Sequence, residues 1–106
     1  MKIASSTEEG VATLALDGRF DAHEVTGFRA AVEKEVRPGA VVRLDLGSVR
    51  FIDSTALAEL LRLRKALLGN DGRLLLTPLS DPVRVILELT GLDAVLLADE
   101  PARAAP

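Results

Sequence analysis

Cysteine, tryptophan and tyrosine are missing from this 106-residue chain, which holds three phenylalanines, one methionine and one histidine. Each absence removes a chemistry. Without cysteine there is no disulfide framework, no thiolate nucleophile and no cysteine-based zinc or iron-sulfur site. The single histidine, His23, leaves no pair for a multi-histidine metal site and one candidate base for a serine triad. No metal site, cofactor or enzymatic activity is therefore expected. Charge of one sign is also lacking: 13 Lys+Arg against 16 Asp+Glu give a net charge of -3, spread along the chain. The electrostatic footprint of a nucleic-acid binder is absent, and no direct nucleic-acid partner is expected. The Met1 to Ser6 start lacks the charged-then-apolar pattern of a signal peptide, and no apolar run approaches the ~18 residues of a membrane span. A cytoplasmic protein without membrane insertion is predicted.

What is present is aliphatic. Apolar residues make up 48% of the chain, mostly Leu and Ala, with 3% aromatics. Such a core favours strands and helices packed in layers, and the length allows one core only. A single domain over residues 1–98 is expected, with residues 99–106, rich in Ala, Pro and charge, as a frayed tail.

The pattern along the chain predicts the elements. Met1 to Ser6 and Val11 to Asp17 read as strands of a hairpin turning at Glu8, Glu9 and Gly10, the second showing period-2 alternation. Gly18-Arg19-Phe20-Asp21 breaks that strand, and Asp21 with Glu24 resembles a capping box opening a first helix whose inner face is Ala22, Val25, Phe28 and Val32. Val41 to Leu46 is the next strand. A leucine-patterned helix runs from Ser54 to Leu68, facing the core through Leu57, Leu60, Leu61, Leu67 and Leu68 with Leu63 at the margin. Arg64 lies in that face with its stem on apolar surface. Gly69-Asn70-Asp71-Gly72 turns the chain into Arg73 to Thr77, an apolar strand of the kind buried on both faces. Ser80-Asp81-Pro82 starts a third helix that Gly91 closes, and Ala94 to Ala98 reads as a last short strand. Strands alternating with helices after a hairpin predict an α/β layer sandwich with a mixed sheet.

Chemistry concentrates at Asp53-Ser54-Thr55-Ala56-Leu57, where one carboxylate and two hydroxyls meet a helix start. The bland account is capping of the free N–H groups of the first turn by Asp53 or Ser54. His23 reads as a solvated histidine near the first helix. A receiver domain would also place an Asp where Asp53 stands, but it needs a lysine late in the chain, and the last lysine here is Lys65. No Gly-Lys-Ser/Thr loop and no Gly-x-Gly-x-x-Gly occurs, so any phosphate must come from another protein.

Asp53-Ser54-Thr55-Ala56-Leu57, the preceding Leu44-Asp45-Leu46 strand, the Gly18-Arg19-Phe20-Asp21 turn and the segment Val83 to Leu92 together resemble the STAS family of anti-sigma factor antagonists. The resemblance runs in order over nearly the whole chain. It implies a STAS-like fold and a switch protein whose unphosphorylated form binds an anti-sigma factor serine/threonine kinase and frees a sigma factor. It implies Thr55 as phosphoacceptor, with Ser54 as the alternative, and a PP2C-type phosphatase that removes the phosphate. Asp21, Asp53, Ser54, Thr55 and Ala56 would form the partner-binding surface. Ala56 departs from the family's glycine, and Thr55 from the commoner serine.

Charge chemistry favours such a switch on its own terms. A phosphate brings about -1.5 to -2 charges at neutral pH. A helix start tolerates it, while a partner packed over it would have to bury that charge beside Asp53. Two other roles use the same residues: a non-switching STAS subunit of a lipid-transport ATPase or stress-signalling scaffold, and a hydrolase using Asp53, Ser54 or Thr55 with His23 as base, for which the pattern offers no third orienting group.

Overall fold

The computed structural model describes residues 1–98; the tail expected at 99–106 lies outside the described residues. Four strands, β1 (Lys2–Glu8), β2 (Val11–Phe20), β3 (Val41–Ile52) and β4 (Arg73–Leu79), form one sheet in the order β1-β2-β3-β4. β1 and β2 are antiparallel, and β2, β3 and β4 run parallel. The helices are α1 (Val25–Glu33), α2 (Ser54–Leu68), α3 (Asp81–Thr90) and the short α4 (Asp93–Leu96). The expected mixed sheet with a leading hairpin and alternating strand-helix units is what the chain forms.

The hairpin turns on Glu9 and Gly10 alone, both at positive φ (52° and 79°), the backbone a two-residue loop needs to match strand twist. β2 then runs further than its sequence suggests. Register shifts at Ala15/Asp17 and Gly18/Arg19, with Gly18 at φ 121°, absorb the irregularity, so the strand continues to Phe20 instead of breaking at Gly18. β3 likewise extends past Leu46 to Ile52, because a bulge against β2 between Asp45 and Ser48 shifts the phase of its apolar residues, which resume burial at Val49 and Ile52.

Alternate residues of the parallel strands, among them Leu14, Leu16, Val42, Leu44, Leu74 and Leu76, enter one core with Phe28, Leu60, Leu67, Val83, Leu87 and Leu96 from the helices. Phe20 and Phe28 meet inside it with ring centroids 4.7 Å apart. The opposite sheet face is only half-buried. Leu75 lies there, so β4 is not buried on both faces as its continuous apolar run predicts: among the described residues, helices cover one side of the sheet.

Three further expectations change. Ala94 to Ala98 does not form a strand; Asp93–Leu96 is helical, with the Asp93 side chain accepting the Ala94 N–H at 3.0 Å and Leu96 and Leu97 buried. A short apolar run carries no usable period, and tertiary packing decided its state. On α2, Leu63 is a core residue and Leu68 is exposed, a phase shift of the buried stripe, while Arg64 is half-buried at its edge. The first helix opens as a 3-10 turn, Ala22–Glu24, with Ala22 exposed. Glu24 does not close a capping box either, since its carboxylate accepts from the Met1 amine at 2.8 Å.

Outside the sheet, α1 is tied to α2 by Arg29, which donates to the buried Glu59 through Nε at 3.3 Å and through Nη2. The hydrogen bond that Arg29 donates to Glu59, then the negative charges of Glu59 and Glu33, push the Arg29 pKa up against the opposing effect of burial.

Candidate functional site

β2 and β3 end side by side, with Phe20 opposite Ile52 and the Asp53 N–H donating to the Phe20 carbonyl at 3.2 Å. Each strand is followed at once by an aspartate that starts a helical segment. Asp21 caps the 3-10 turn, its Oδ1 accepting the His23 N–H at 3.0 Å. Asp53 caps α2, its Oδ1 accepting the Ala56 N–H at 2.9 Å. The second oxygen of Asp53 accepts the Ala22 N–H at 3.0 Å. One carboxylate therefore caps its own helix and fastens the neighbouring turn to it.

The capping expected of Asp53 or Ser54 belongs to Asp53. Ser54 and Thr55 occupy the first two helical positions, whose N–H groups have no partner within the helix. Both are exposed, and among the described residues their hydroxyls make no hydrogen bond. Ala56 is fully buried, its methyl in the core. The methyl that replaces the family's glycine hydrogen thus adds no bulk to the outer surface.

His23 is exposed in the 3-10 turn, and no hydrogen bond joins its ring to Asp53, Ser54 or Thr55. Its turn does abut the junction, through the Ala22 bond that spacing alone does not reveal. Among the described residues, the junction holds no hydrogen-bonded nucleophile-base pair.

A contact between two residues beside the junction is not visible in the sequence pattern. The Arg19 guanidinium stands 4.1 Å from the centre of the Phe51 ring, and its Nε is 3.8 Å from Asp21 Oδ2. Phe51 is 38% exposed, unusual for one of three aromatic residues in a chain this apolar. Arg19 and Phe51 are register partners on β2 and β3, each two residues before its aspartate. That equal offset is the signal that could have found them. Next to them Asp17, Arg19, Asp21, His23 and Arg50 line an open cleft of about 500 Å³ with charges of both signs. Among the described residues, no group of His, Asp and Glu could hold a metal ion.

A two-layer α/β domain with an aspartate-capped, hydroxyl-bearing helix start beside an edge hairpin is the architecture of the STAS class, and a family model described as "Mlab, STAS domain" matches residues 3–98. The chain belongs to the STAS domain family. Among its relatives is an anti-sigma-B factor antagonist of Listeria monocytogenes, 34% identical over 80 residues, which cover 74% of this chain and 70% of that protein. Its fold is similar to that of the anti-sigma factor antagonist SpoIIAA. The unphosphorylated form superposes with a TM-score of 0.74 at 23% identity, covering 88% of this chain and 84% of that one. The phosphorylated form of the Bacillus protein gives 0.68 at 23% identity, covering 88% and 86%. No helix among the described residues is long and apolar enough to cross a membrane.

Proposed function

We propose that this protein is an anti-sigma factor antagonist that acts in the cytoplasm by binding rather than by catalysis. Its unphosphorylated form binds an anti-sigma factor serine/threonine kinase and so frees a sigma factor. Phosphorylation of Thr55 switches it off, and a PP2C-type phosphatase resets it. The observation that carries this reading is the pair of exposed hydroxyls, Ser54 and Thr55, on a helix start that Asp53 locks from both sides. The relative named an anti-sigma-B factor antagonist and the existence of SpoIIAA in a phosphorylated form support it.

A threonine side chain projecting from the first turn can accept a phosphate without disturbing the core. The added charge, about -1.5 to -2, sits at the positive end of the helix dipole, so the fold tolerates it. On the surface it stands beside the carboxylates of Asp53 and Asp21. A partner covering Asp21, Asp53, Ser54 and Thr55 would then have to desolvate a phosphate among like charges. Release follows without unfolding. Ala56 serves this surface from beneath, as the buried residue that seats the turn.

Titration calorimetry with the cognate anti-sigma factor tests the reading. Binding is expected for the unphosphorylated protein, weakened at least about tenfold once Thr55 carries phosphate, since desolvating a phosphate beside Asp53 and Asp21 costs more than the ~1.4 kcal/mol that a tenfold change represents. Equal binding of both forms would contradict it. Capture of a transporter ATPase as the main partner, with no anti-sigma kinase, would replace it with the scaffold or transporter-subunit role.

A further inference from the structure

The outward face of α3 carries an apolar pair that no other described element covers. Val83 and Leu87 of this helix are fully buried, whereas Val85 and Leu89 are 48% and 77% exposed. At 100° per residue, Val85 and Leu89 project from the side opposite Val83 and Leu87, one turn apart. Scattered exposed aliphatics are ordinary on a protein surface. Here, however, the pair sits on a helix held rigid at both ends. The Ser80 hydroxyl donates to the Val49 carbonyl at 2.6 Å and accepts the Val83 N–H at 3.3 Å, and Gly91 closes the helix at φ 75°.

The charges flanking this pair complement themselves. Arg84 and Glu88 lie four residues apart on one side of the Val85–Leu89 stripe. Arg84 is ion-paired through Nη2 with Asp81 of its own helix, which leaves the other donors of its guanidinium for a second carboxylate, and among the described residues no cation lies within ion-pair distance of Glu88. If two copies of α3 pack antiparallel about a two-fold axis near Ile86, each Arg84 comes opposite the Glu88 of the other copy. Val85 and Leu89 then close the centre against the same pair. An isologous interface demands that a patch complement itself, and this one does so in charge, with an apolar pair at its centre. We infer that the outer face of α3 is a homodimer contact, its occupant a second copy of this chain. It is independent of the phosphoacceptor reading.

Sedimentation velocity of the full chain over a dilution series tests this, with circular dichroism to show that each variant folds. The expected result is a dimer that dissociates on dilution. Leu89→Glu, at a position outside the core, should weaken it at least about a hundredfold, because the side chain is used twice in a two-fold interface. Glu88→Arg should weaken association, and the double exchange Arg84→Glu with Glu88→Arg should recover it. A monomer at every concentration would overturn the inference. So would a dimer indifferent to Leu89→Glu, or a double exchange that recovers nothing.

Discussion

The Asp53 carboxylate accepts the Ala22 backbone N–H at 3.0 Å, across 31 positions of sequence. With its other oxygen on the Ala56 N–H, the side chain needs both oxygens as acceptors. An amide cannot replace it, because one oxygen would become an NH₂ facing an N–H. The aspartate is therefore fixed by backbone geometry before any contact with a partner is considered.

Asp53→Asn is expected to destabilise the protein by about 1 kcal/mol, the range for one capping or tying hydrogen bond lost at a solvent-reached junction. Urea unfolding measures the loss. Hydrogen exchange should quicken at Ala22 or Ala56, the two N–H groups the carboxylate holds, while Leu60 and Leu67 in the middle of α2 keep their protection. Unchanged exchange at both Ala22 and Ala56 would remove this role from Asp53.

Neighbouring residues after α2 should respond in opposite senses. Asp71 holds a left-handed backbone at φ 59°, and Gly72 follows with its N–H on the Leu67 carbonyl at 2.7 Å. Asp71→Gly relieves the left-handed conformation and should stabilise by about 0.5–1 kcal/mol. Gly72→Ala would set its methyl 2.2 Å from the Ala40 carbonyl oxygen, a backbone atom that cannot swing away. A cost of about 3 kcal/mol is expected. Thermal melts of both variants distinguish these signs.

The Arg29–Glu59 pair should be asymmetric under mutation. Glu59 is 9% exposed overall, while the Arg29 side chain is 40% exposed. Arg29→Ala strands a buried carboxylate; Glu59→Gln leaves a cation that water can reach. The arginine variant should unfold at the lower urea concentration. Because the Arg29 pKa is raised in the folded state, its contribution is complete below the unfolded-state value and is lost only as pH rises through the folded one. Arg29 therefore introduces no pH dependence across the neutral range, which urea midpoints at several pH values can check.

Local chemistry in the sequence located α2 at Ser54–Leu68 and α3 between Ser80 and Gly91, because caps, proline and leucine spacing act over a few residues. The candidate junction was legible for the same reason: Asp53 and the two hydroxyls are consecutive. What spacing does not carry is contact across the sheet. The Ala22–Asp53 bond and the Arg19–Phe51 stack depend on β2 and β3 ending in register, which the bulges in both strands obscure. Ala94 to Ala98 reads as a strand although Asp93–Leu96 is helical, since four helical residues are too few for a period to appear.

Incubation with the cognate anti-sigma factor kinase and ATP, followed by mass-spectrometric mapping of the phosphosite, tests the central claim most directly. The account predicts one phosphate on Thr55 in the wild-type chain and none at that position in Thr55→Ala, with the variant still folded because the side chain is exposed. Wild-type protein that stays unmodified, or incorporation that persists unchanged in both Thr55→Ala and Ser54→Ala, would contradict it.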